Sequence, residues 1–342
     1  MVTMADVAKR AGVTKQTVSN VVRGRTVVSA GTRAKVEAAI DELGYTPNLV
    51  ARGLSTGTTM TVGFVVPTVA NPFYSAVVEE VEALLETRGY HLLLATTRGD
   101  GARARRQLAS LSSRSVDALL VAGDFDLSEC PPAPEGHGPP LVLCAWEIDP
   151  PRTLPVVTID FERAGYLAGR HLRELGHRRV TVVADLPAHR VRVAGLRRAL
   201  AEDGVSVPDE WVFAAPGATP ESGYEAASRA LRDRAERPAR DRTTAVFSST
   251  DATALGVMEA VRHHGLRVPE DISVIGVDDI PQAAHAHPPL TTVALPKRRM
   301  AREATELLWR AIAEGRPTAP SLTLLDPEVL ARASSGPAAA AG

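Results

Sequence analysis

The spacing of apolar residues predicts three short helices in the first 47 residues. Each follows a hydroxyl residue that can cap it, and two of them end at a glycine. The predicted helices are Met4–Ala11 after Thr3, Lys15–Arg23 after Thr14, and a third that follows Ser29 and stops at Gly44. Pro47 ends this unit, so residues 1–47 form the first predicted domain.

From residue 60 the pattern changes to short apolar strands that alternate with amphipathic helices. Continuous apolar strands of this kind indicate a parallel sheet covered on both faces. The predicted strands are Val62–Val66, His91–Ala95, Ala118–Ala122, Leu141–Leu143, Val180–Val183, Ala245–Ser248 and Ser273–Val277. The predicted helices are Tyr74–Arg88, Arg103–Ser112, Glu162–Glu174, Val193–Asp203, Ser222–Arg234, Ala252–His264 and Lys297–Glu314.

There are too many of these units for one sheet, so we expect two doubly wound lobes in a body that spans residues 60–333. The predicted first lobe comprises 60–159 and 291–320, and the second comprises 160–290 and 321–333. Residues 334–342 are small residues that bury too little surface to order themselves, and we predict a disordered tail there. Residues 48–59 are predicted to form a hinge helix and a linker.

Composition narrows the class of protein. The chain has 342 residues, 44% of them hydrophobic and 23% charged. No stretch reaches the roughly 18 apolar residues of a membrane span, and the first residues lack the apolar run of a signal peptide. Cys130 and Cys144 do not have metal-type spacing. We therefore expect a cytoplasmic protein without membrane contact, bound metal or other cofactor.

The charge is unevenly distributed, because residues 1–57 hold eight basic and four acidic groups in a chain of net charge −1. Ala8, Gly12 and Val18 occupy the small, turn and apolar positions of a helix-turn-helix. The second helix then presents polar groups that can reach bases or phosphates: Lys15, Gln16, Thr17, Ser19 and Asn20. The alternative is an ordinary helical hairpin with a solvated face, and the basic head favours DNA binding.

Several segments resemble the lactose- and purine-repressor family. In the head these are Val2–Ser19, Val28–Val36, Gly44–Asn48 and Ala51–Leu54; in the body they are Asn71–Tyr74, Gly165–Gly169, Gly176-His177, Val274–Asp279 and Pro289–Val293. The resemblance implies a body like the periplasmic sugar-binding proteins, with a small molecule between its lobes that controls DNA affinity. We also expect a homodimer on an inverted-repeat operator, because one helix-turn-helix reads too few bases and a two-fold dimer matches a palindrome.

The segment 48–55 is about two turns long, shorter than the roughly 12–15 residues that an isolated helix needs. We expect it to fold only against DNA, with Leu54 as a minor-groove wedge and Ala51 allowing close approach; the alternative is a plain linker. The candidate DNA-binding residues are Thr3, Thr14, Lys15, Gln16, Thr17, Ser19, Asn20, Arg23, Ser29, Thr32, Asn48, Ala51 and Leu54.

Ligands of open α/β sheets bind outside the carboxyl ends of the strands. The residues that follow predicted strands there are candidate effector contacts: Asn71, Phe73, Tyr74, Trp146, Arg190, Arg192, Thr250, Asp251 and Asp278. An arginine, carboxylates and flat rings suit the hydroxyls and apolar faces of a polyol. Phe73, Tyr74 and Trp146 could instead be packing residues.

The alternation in Arg190-Val191-Arg192 lets only one arginine face the cleft, and the resemblance favours Arg192. The resemblance also aligns Asp278 with a ligand carboxylate, whereas it makes Asp279 structural. Ala145 and Ala218 stand where purine-binding relatives carry an acid and a stacking aromatic, which disfavours a purine.

Three sequence patterns resemble catalytic, cofactor-binding or metal-binding motifs, but each lacks the structural context that the motif requires. Gly53-Leu54-Ser55-Thr56-Gly57 has no preceding strand, so it is not a nucleophile elbow. The dinucleotide-like run Gly99–Ala104 follows the second strand of its lobe and not the first. His263 and His264 are adjacent on a helix and point apart. We therefore expect no enzyme activity.

The sequence thus predicts a transcriptional repressor controlled by a small molecule, a sugar or sugar derivative, with operator DNA and a second copy of the chain as partners. A corepressor-dependent repressor or an activator that responds to a nucleoside is the alternative within DNA regulators. A solute-binding protein without DNA function is the alternative outside them.

Overall fold

The computed structural model describes residues 2–22, 28–45, 58–113, 116–123, 125, 138–147, 151–186, 188–315 and 319–338. The chain divides into two compact units, Met1–Met60 and Thr61–Gly342. No helix among the described residues is both long enough and apolar enough to pass through a membrane.

The first unit contains three helices, α1 (Met4–Ala11), α2 (Lys15–Val22) and α3 (Ala30–Leu43). The carboxylate of Asp6 accepts hydrogen bonds from the backbone N–H and the hydroxyl of Thr3, at 2.9 and 2.7 Å, and so fixes the start of α1. Gly12 has a φ of 66° and allows the left-handed turn into α2. Ala8 and Val18 are buried between the helices, which confirms the helix-turn-helix predicted from their spacing.

The first lobe of the second unit is built on a six-stranded parallel sheet. Its order is β11-β5-β4-β3-β1-β2. The strands are β1 (Thr61–Val66), β2 (His91–Thr96), β3 (Ala118–Gly123), β4 (Leu141–Trp146), β5 (Pro155–Ile159) and β11 (Ser321–Leu325). Helices α4 (Pro72–Glu86), α5 (Gly101–Ser113) and α11 (Lys297–Glu314) pack on this sheet.

The second lobe has a sheet of the same size in the order β12-β10-β9-β8-β6-β7, parallel except for its edge strand β12. The strands are β6 (Val180–Ala184), β7 (Val212–Ala214), β8 (Ala245–Ser248), β9 (Ser273–Asp278), β10 (Thr291–Ala294) and β12 (Glu328–Leu330). The helices are α6 (Phe161–Glu174), α7 (Arg190–Ala201), α8 (Pro220–Glu236), α9 (Asp251–His263) and the short α10 (Pro281–His285). Two doubly wound lobes are therefore confirmed.

The predicted lobe boundaries were wrong near the C-terminus. The strand β10 at 291–294 pairs with β9 and belongs to the second lobe, whereas β11 at 321–325 pairs with β5 and belongs to the first. The chain thus passes between the lobes after β5, after β10 and after β11. Both strands are short, and β11 is largely exposed, so neither has the apolar run that would have assigned it.

The predicted disordered tail is wrong for residues 334–338. Ser334 is fully buried; its hydroxyl donates to the carbonyl of Val274 at 2.6 Å and accepts the backbone N–H of Thr291 at 2.8 Å. The backbone N–H of Gly336 donates to the hydroxyl of Ser273 at 3.0 Å. Small polar residues order here because the second sheet offers them hydrogen-bond partners, which composition cannot reveal.

Helices α6 and α7 approach so closely that their contact requires glycine. A Cβ on Gly165 would lie 1.7 Å from the carbonyl oxygen of Arg192, and one on Gly195 would lie 1.9 Å from that of Glu162. The main chain of Arg192 therefore rests directly against α6.

Candidate functional site

The polar face of α2 has the exposure that a DNA-reading helix needs. Lys15 and Gln16 are exposed, and Thr17, Ser19 and Asn20 are partly exposed. The side-chain amide of Gln16 donates to Oδ1 of Asn20 at 3.3 Å, which orients both along one face.

Three of the other candidate DNA contacts also begin helices. Thr3 bonds to Asp6, the hydroxyl of Thr14 accepts the backbone N–H of Thr17 at 3.1 Å, and that of Ser29 accepts the N–H of Thr32 at 3.4 Å. Arg23, Asn48, Ala51 and Leu54 lie outside the described residues, as does the whole predicted hinge helix 48–55.

In the body, Arg192 is the centre of a buried polar cluster at the carboxyl ends of the strands. Its side chain is only 5% exposed. Nε and Nη2 donate to the two carboxylate oxygens of Glu147 at 2.7 and 2.8 Å. Nη1 donates to the carbonyl of Ser249 at 2.7 Å and to Oδ1 of Asp278 at 3.4 Å. The guanidinium also lies 4.7 Å from the ring centre of Phe161.

Asp278 ends β9 and has one carboxylate oxygen without a donor. Oδ2 is buried and has no hydrogen-bond partner among the described residues. Burial raises the pKa of this carboxyl to about 7, although the charge of Arg192 opposes that shift. Asp278 and Asp279 have φ angles of 121° and 52°, in the region that favours glycine. Strained backbone of this kind occurs at ligand sites, and an unpaired buried acceptor needs a donor.

Two basic side chains from later in the chain hold the turn at Asp278 and Asp279 in place. The Nζ of Lys297 donates to the carbonyls of Asp278 and Asp279. The guanidinium of Arg332 donates to the Asp279 carboxylate at 2.7 Å. Asp279 is therefore paired inside the protein, while Asp278 keeps an oxygen for another group.

Thr250 and Asp251 are placed in structural bonds. The hydroxyl of Thr250 accepts the N–H of Thr253 at 3.2 Å and caps α9. The carboxylate of Asp251 accepts the N–H of Ile280 at 3.0 Å and the hydroxyl of Thr292 at 2.5 Å. Burial raises the pKa of Asp251 to about 6. Asp251 therefore ties α9 to β10, and each of its carboxylate oxygens already has a donor.

Of the two candidate arginines, only Arg192 enters the cluster. Arg190 is the first residue of α7 and is exposed. Positions i and i+2 of a helix do not face the same way, so the two side chains diverge.

Four of the candidate effector contacts lie in the first lobe: Asn71, Phe73, Tyr74 and Trp146. The side chain of Asn71 caps α4 by accepting the N–H of Phe73 at 2.9 Å. Phe73 is buried and packs edge-on against Tyr74, with ring centres 5.1 Å apart. Tyr74 lies close enough to Arg192 to affect the pKa of that guanidinium. Trp146 is buried against Phe125, and its indole N–H has no acceptor among the described residues.

Sequence reasoning missed Glu147, His189 and Ser249. Glu147 is the residue after Trp146, and His189 bonds through Nδ1 to the Ser249 hydroxyl at 2.9 Å. Burial, and then the charge of Arg192, hold the pKa of His189 well below its usual value, so this imidazole is neutral at pH 7. The one signal in the sequence was position, since Glu147 and Ser249 both follow β strands at their carboxyl ends.

Of the three patterns set aside in the sequence analysis, the dinucleotide-like run starts a helix, and residues 53–57 lie outside the described residues. The Asp100 carboxylate accepts the N–H groups of Ala102 and Arg103 at 2.8 and 3.1 Å, so it caps α5 where a dinucleotide phosphate would have to bind. No group of three or more His, Cys, Asp or Glu side chains in the described part of the chain is arranged to hold a metal.

The fold and the two sites define a class of protein: a helix-turn-helix head joined to a body with the architecture of the periplasmic binding proteins. Two family profiles match, "Bacterial regulatory proteins, lacI family" at residues 3–48 and "Periplasmic binding protein-like domain" at 169–335. The HTH-type transcriptional repressor PurR of Aliivibrio fischeri (strain MJ11) is 36% identical over 98% of each chain.

Solved structures agree. A CelR–cellobiose complex is 33% identical, with a TM-score of 0.69 over 98% of this chain and 100% of the other. A Lac repressor dimer bound to operator and the anti-inducer ONPF is 26% identical, with a TM-score of 0.82 over 98% and 99%. The chain belongs to the lacI family of bacterial regulatory proteins, and it is a DNA-binding transcriptional repressor of that type. The predicted family is confirmed, and its members are regulators and not enzymes.

Proposed function

We propose that a small, hydroxyl-rich effector of the carbohydrate class binds between the lobes and changes the affinity of the head for an operator. The observation that carries this proposal is Oδ2 of Asp278, a buried acceptor with no donor among the described residues, beside the Arg192 guanidinium. A sugar hydroxyl is the kind of donor that this oxygen lacks. The CelR–cellobiose complex supports this class of ligand.

A purine is the second candidate, and the PurR relatives favour it. Against it stand Ala145 and Ala218, where the family resemblance places an acid and an aromatic ring in purine binders. Both alanines are buried and have positive φ angles of 48° and 50°. Neither provides a ring or a carboxylate for a base.

A thermal-shift screen decides between these classes, because a ligand that binds only the native state raises its apparent stability. Mono- and disaccharides are compared with purine bases and nucleosides, on the wild-type protein and on Asp278→Ala. We expect saturable stabilisation by a sugar that Asp278→Ala loses. Stabilisation by a purine alone would overturn the carbohydrate class.

Fluorescence anisotropy with labelled operator then gives the sign of the coupling. The effector either releases the DNA or tightens its binding. Asp278→Ala is expected to bind operator normally without effector and to lose the response. Leu54→Ala tests the predicted hinge: we expect it to weaken operator binding while effector affinity off DNA is unchanged.

We also propose that the repressor works as a homodimer on an inverted repeat. A groove of about 590 Å³ on the second lobe supports this proposal. Its apolar residues, among them Leu255, Met258 and Val268, lie beside paired charges such as Glu259 and Arg262. Such a mixed surface can be self-complementary. Light scattering is expected to give a dimer for the wild-type chain and a monomer for Leu255→Glu; a wild-type monomer with full operator affinity would contradict the proposal.

A further inference from the structure

The Arg192 guanidinium is almost fully engaged within the protein. It has five N–H donors in a planar fork. Two hold Glu147 in a bidentate pair at 2.7 and 2.8 Å, and Nη1 serves both Ser249 and Asp278. One N–H on Nη2 is left. An effector carboxylate or phosphate that accepted two parallel hydrogen bonds from the Arg192 guanidinium would first have to displace Glu147.

Glu147 comes from the opposite lobe. It follows β4 of the first sheet, whereas Arg192 lies in α7 of the second lobe, 45 residues further along the chain. The side chains are 10% and 5% exposed, so the pair is shielded from salt and water. Removing one partner of such a pair is costly, because it leaves an uncompensated buried charge. The Glu147 carboxylate therefore occupies the position between the lobes where an anionic ligand would pair with Arg192.

The neighbouring basic groups do not offer a second anion position. Lys297 donates to the two backbone carbonyls of Asp278 and Asp279, and Arg332 is paired with the Asp279 carboxylate. His189 bonds to Ser249 and is neutral at pH 7. An anion that entered the cleft would meet the Glu147 and Asp278 carboxyl groups, and each of these three basic residues already bonds to a group of the protein.

We infer that Glu147 is a specificity-determining residue that makes the cleft reject anionic effectors, such as phosphorylated or acidic sugars, and accept neutral ones. This inference rests on the proposed effector site and specifies, in addition, that its ligand carries no negative charge. Glu147 acts as a fixed counter-ion for Arg192, so the ligand is recognised by donors to Asp278 and by its neutral hydroxyls.

The probe is the sulfate ion, which needs no knowledge of the effector. Sodium sulfate and sodium chloride at equal ionic strength are compared by thermal shift and calorimetry. The proteins are wild type, Glu147→Ala and the isosteric Glu147→Gln. The control is Glu162→Gln, which removes an exposed carboxylate that pairs with Arg198 on the surface of the same lobe as Arg192.

We expect no saturable sulfate binding to wild type or to the control. Both Glu147 variants are expected to gain it by about tenfold or more, the value of one charge-assisted hydrogen bond. Adding Arg192→Met to Glu147→Ala should abolish the gain, which locates the ion at this guanidinium. Sulfate binding by wild type, or no gain in either variant, would overturn the inference.

A second arm needs only the wild-type protein, so it holds even if the variants fold poorly. Glucose and cellobiose are compared with glucose 6-phosphate and glucuronate in the same assay. Stronger stabilisation by the anionic members refutes the charge filter. A negative result for every sugar, with the sulfate gain present in the variants, would overturn the carbohydrate class while leaving the role of Glu147 standing.

Discussion

The contact between α6 and α7 predicts that Gly165→Ala lowers the stability of the body and disturbs the proposed effector site. The added Cβ would lie 1.7 Å from the carbonyl oxygen of Arg192, and real Cβ atoms essentially never come within 3.0 Å. The two helices must therefore separate by about 1.3 Å, because the obstacle is main chain and no side-chain rotation relieves it. Carried through α7, that movement stretches the 2.7 and 2.8 Å bonds from Arg192 to Glu147 beyond the roughly 3.2 Å limit of a good hydrogen bond.

The expected change in the free energy of unfolding combines two destabilising effects and one stabilising effect. Overpacking costs about 1–3 kcal/mol, and weakening a buried ion pair costs about 3–5 kcal/mol when it is broken outright. The better helix propensity of alanine returns about 1 kcal/mol. We expect a net loss of about 3 kcal/mol or more in the free energy of unfolding of the body, or about 6 °C in Tm.

Urea unfolding followed by circular dichroism measures this loss. The matched control is Gly31→Ala in α3, where an added Cβ would meet no atom within 4 Å. The same substitution there should stabilise the head by about 1 kcal/mol at most. If Gly165→Ala were as stable as wild type, the close approach of α6 and α7 described here would be wrong.

Three further predictions test other parts of the chain. Burial raises the pKa of Asp278 from 3.8 to about 7, so its ionisation lowers the free energy of unfolding as the pH rises from about 4 to 7. Asp278→Asn should therefore make the urea midpoint depend less on pH between pH 5 and 8. An unchanged pH dependence would refute the assignment. Ending the chain after residue 333 should lower the Tm, because the buried bonds of Ser334 are lost, whereas ending it after 338 should not. Gln16→Ala should cost about 1–3 kcal/mol on the operator and little on random DNA in anisotropy titrations, because we expect Gln16 to contact a base; equal losses on both would mean that it only touches the backbone.

The sequence by itself determined the elements whose signals are local. The caps at Thr3 and Ser29, the turn at Gly12 and the apolar position of Val18 are short-range features, and they define the head helices within a residue or two. Apolar runs likewise identified the inner strands β1, β3, β4, β6, β8 and β9, because a strand buried on both faces must be apolar throughout. The inner strands β5 and β10 were not predicted.

Only the tertiary structure decided to which lobe the last strands belong and which residues meet at the proposed effector site. Strands β10 and β11 are short, and their lobe depends on partners that are distant in the chain, at β9 and β5. Arg192 was proposed from its position, and Glu147 has the same positional signal after β4, but their pairing could not be predicted because the two residues meet only when the lobes come together. Hydrogen bonds and ion pairs between distant segments leave no periodicity in the sequence, so charge pairing between the lobes is fixed by the fold and not by any local pattern.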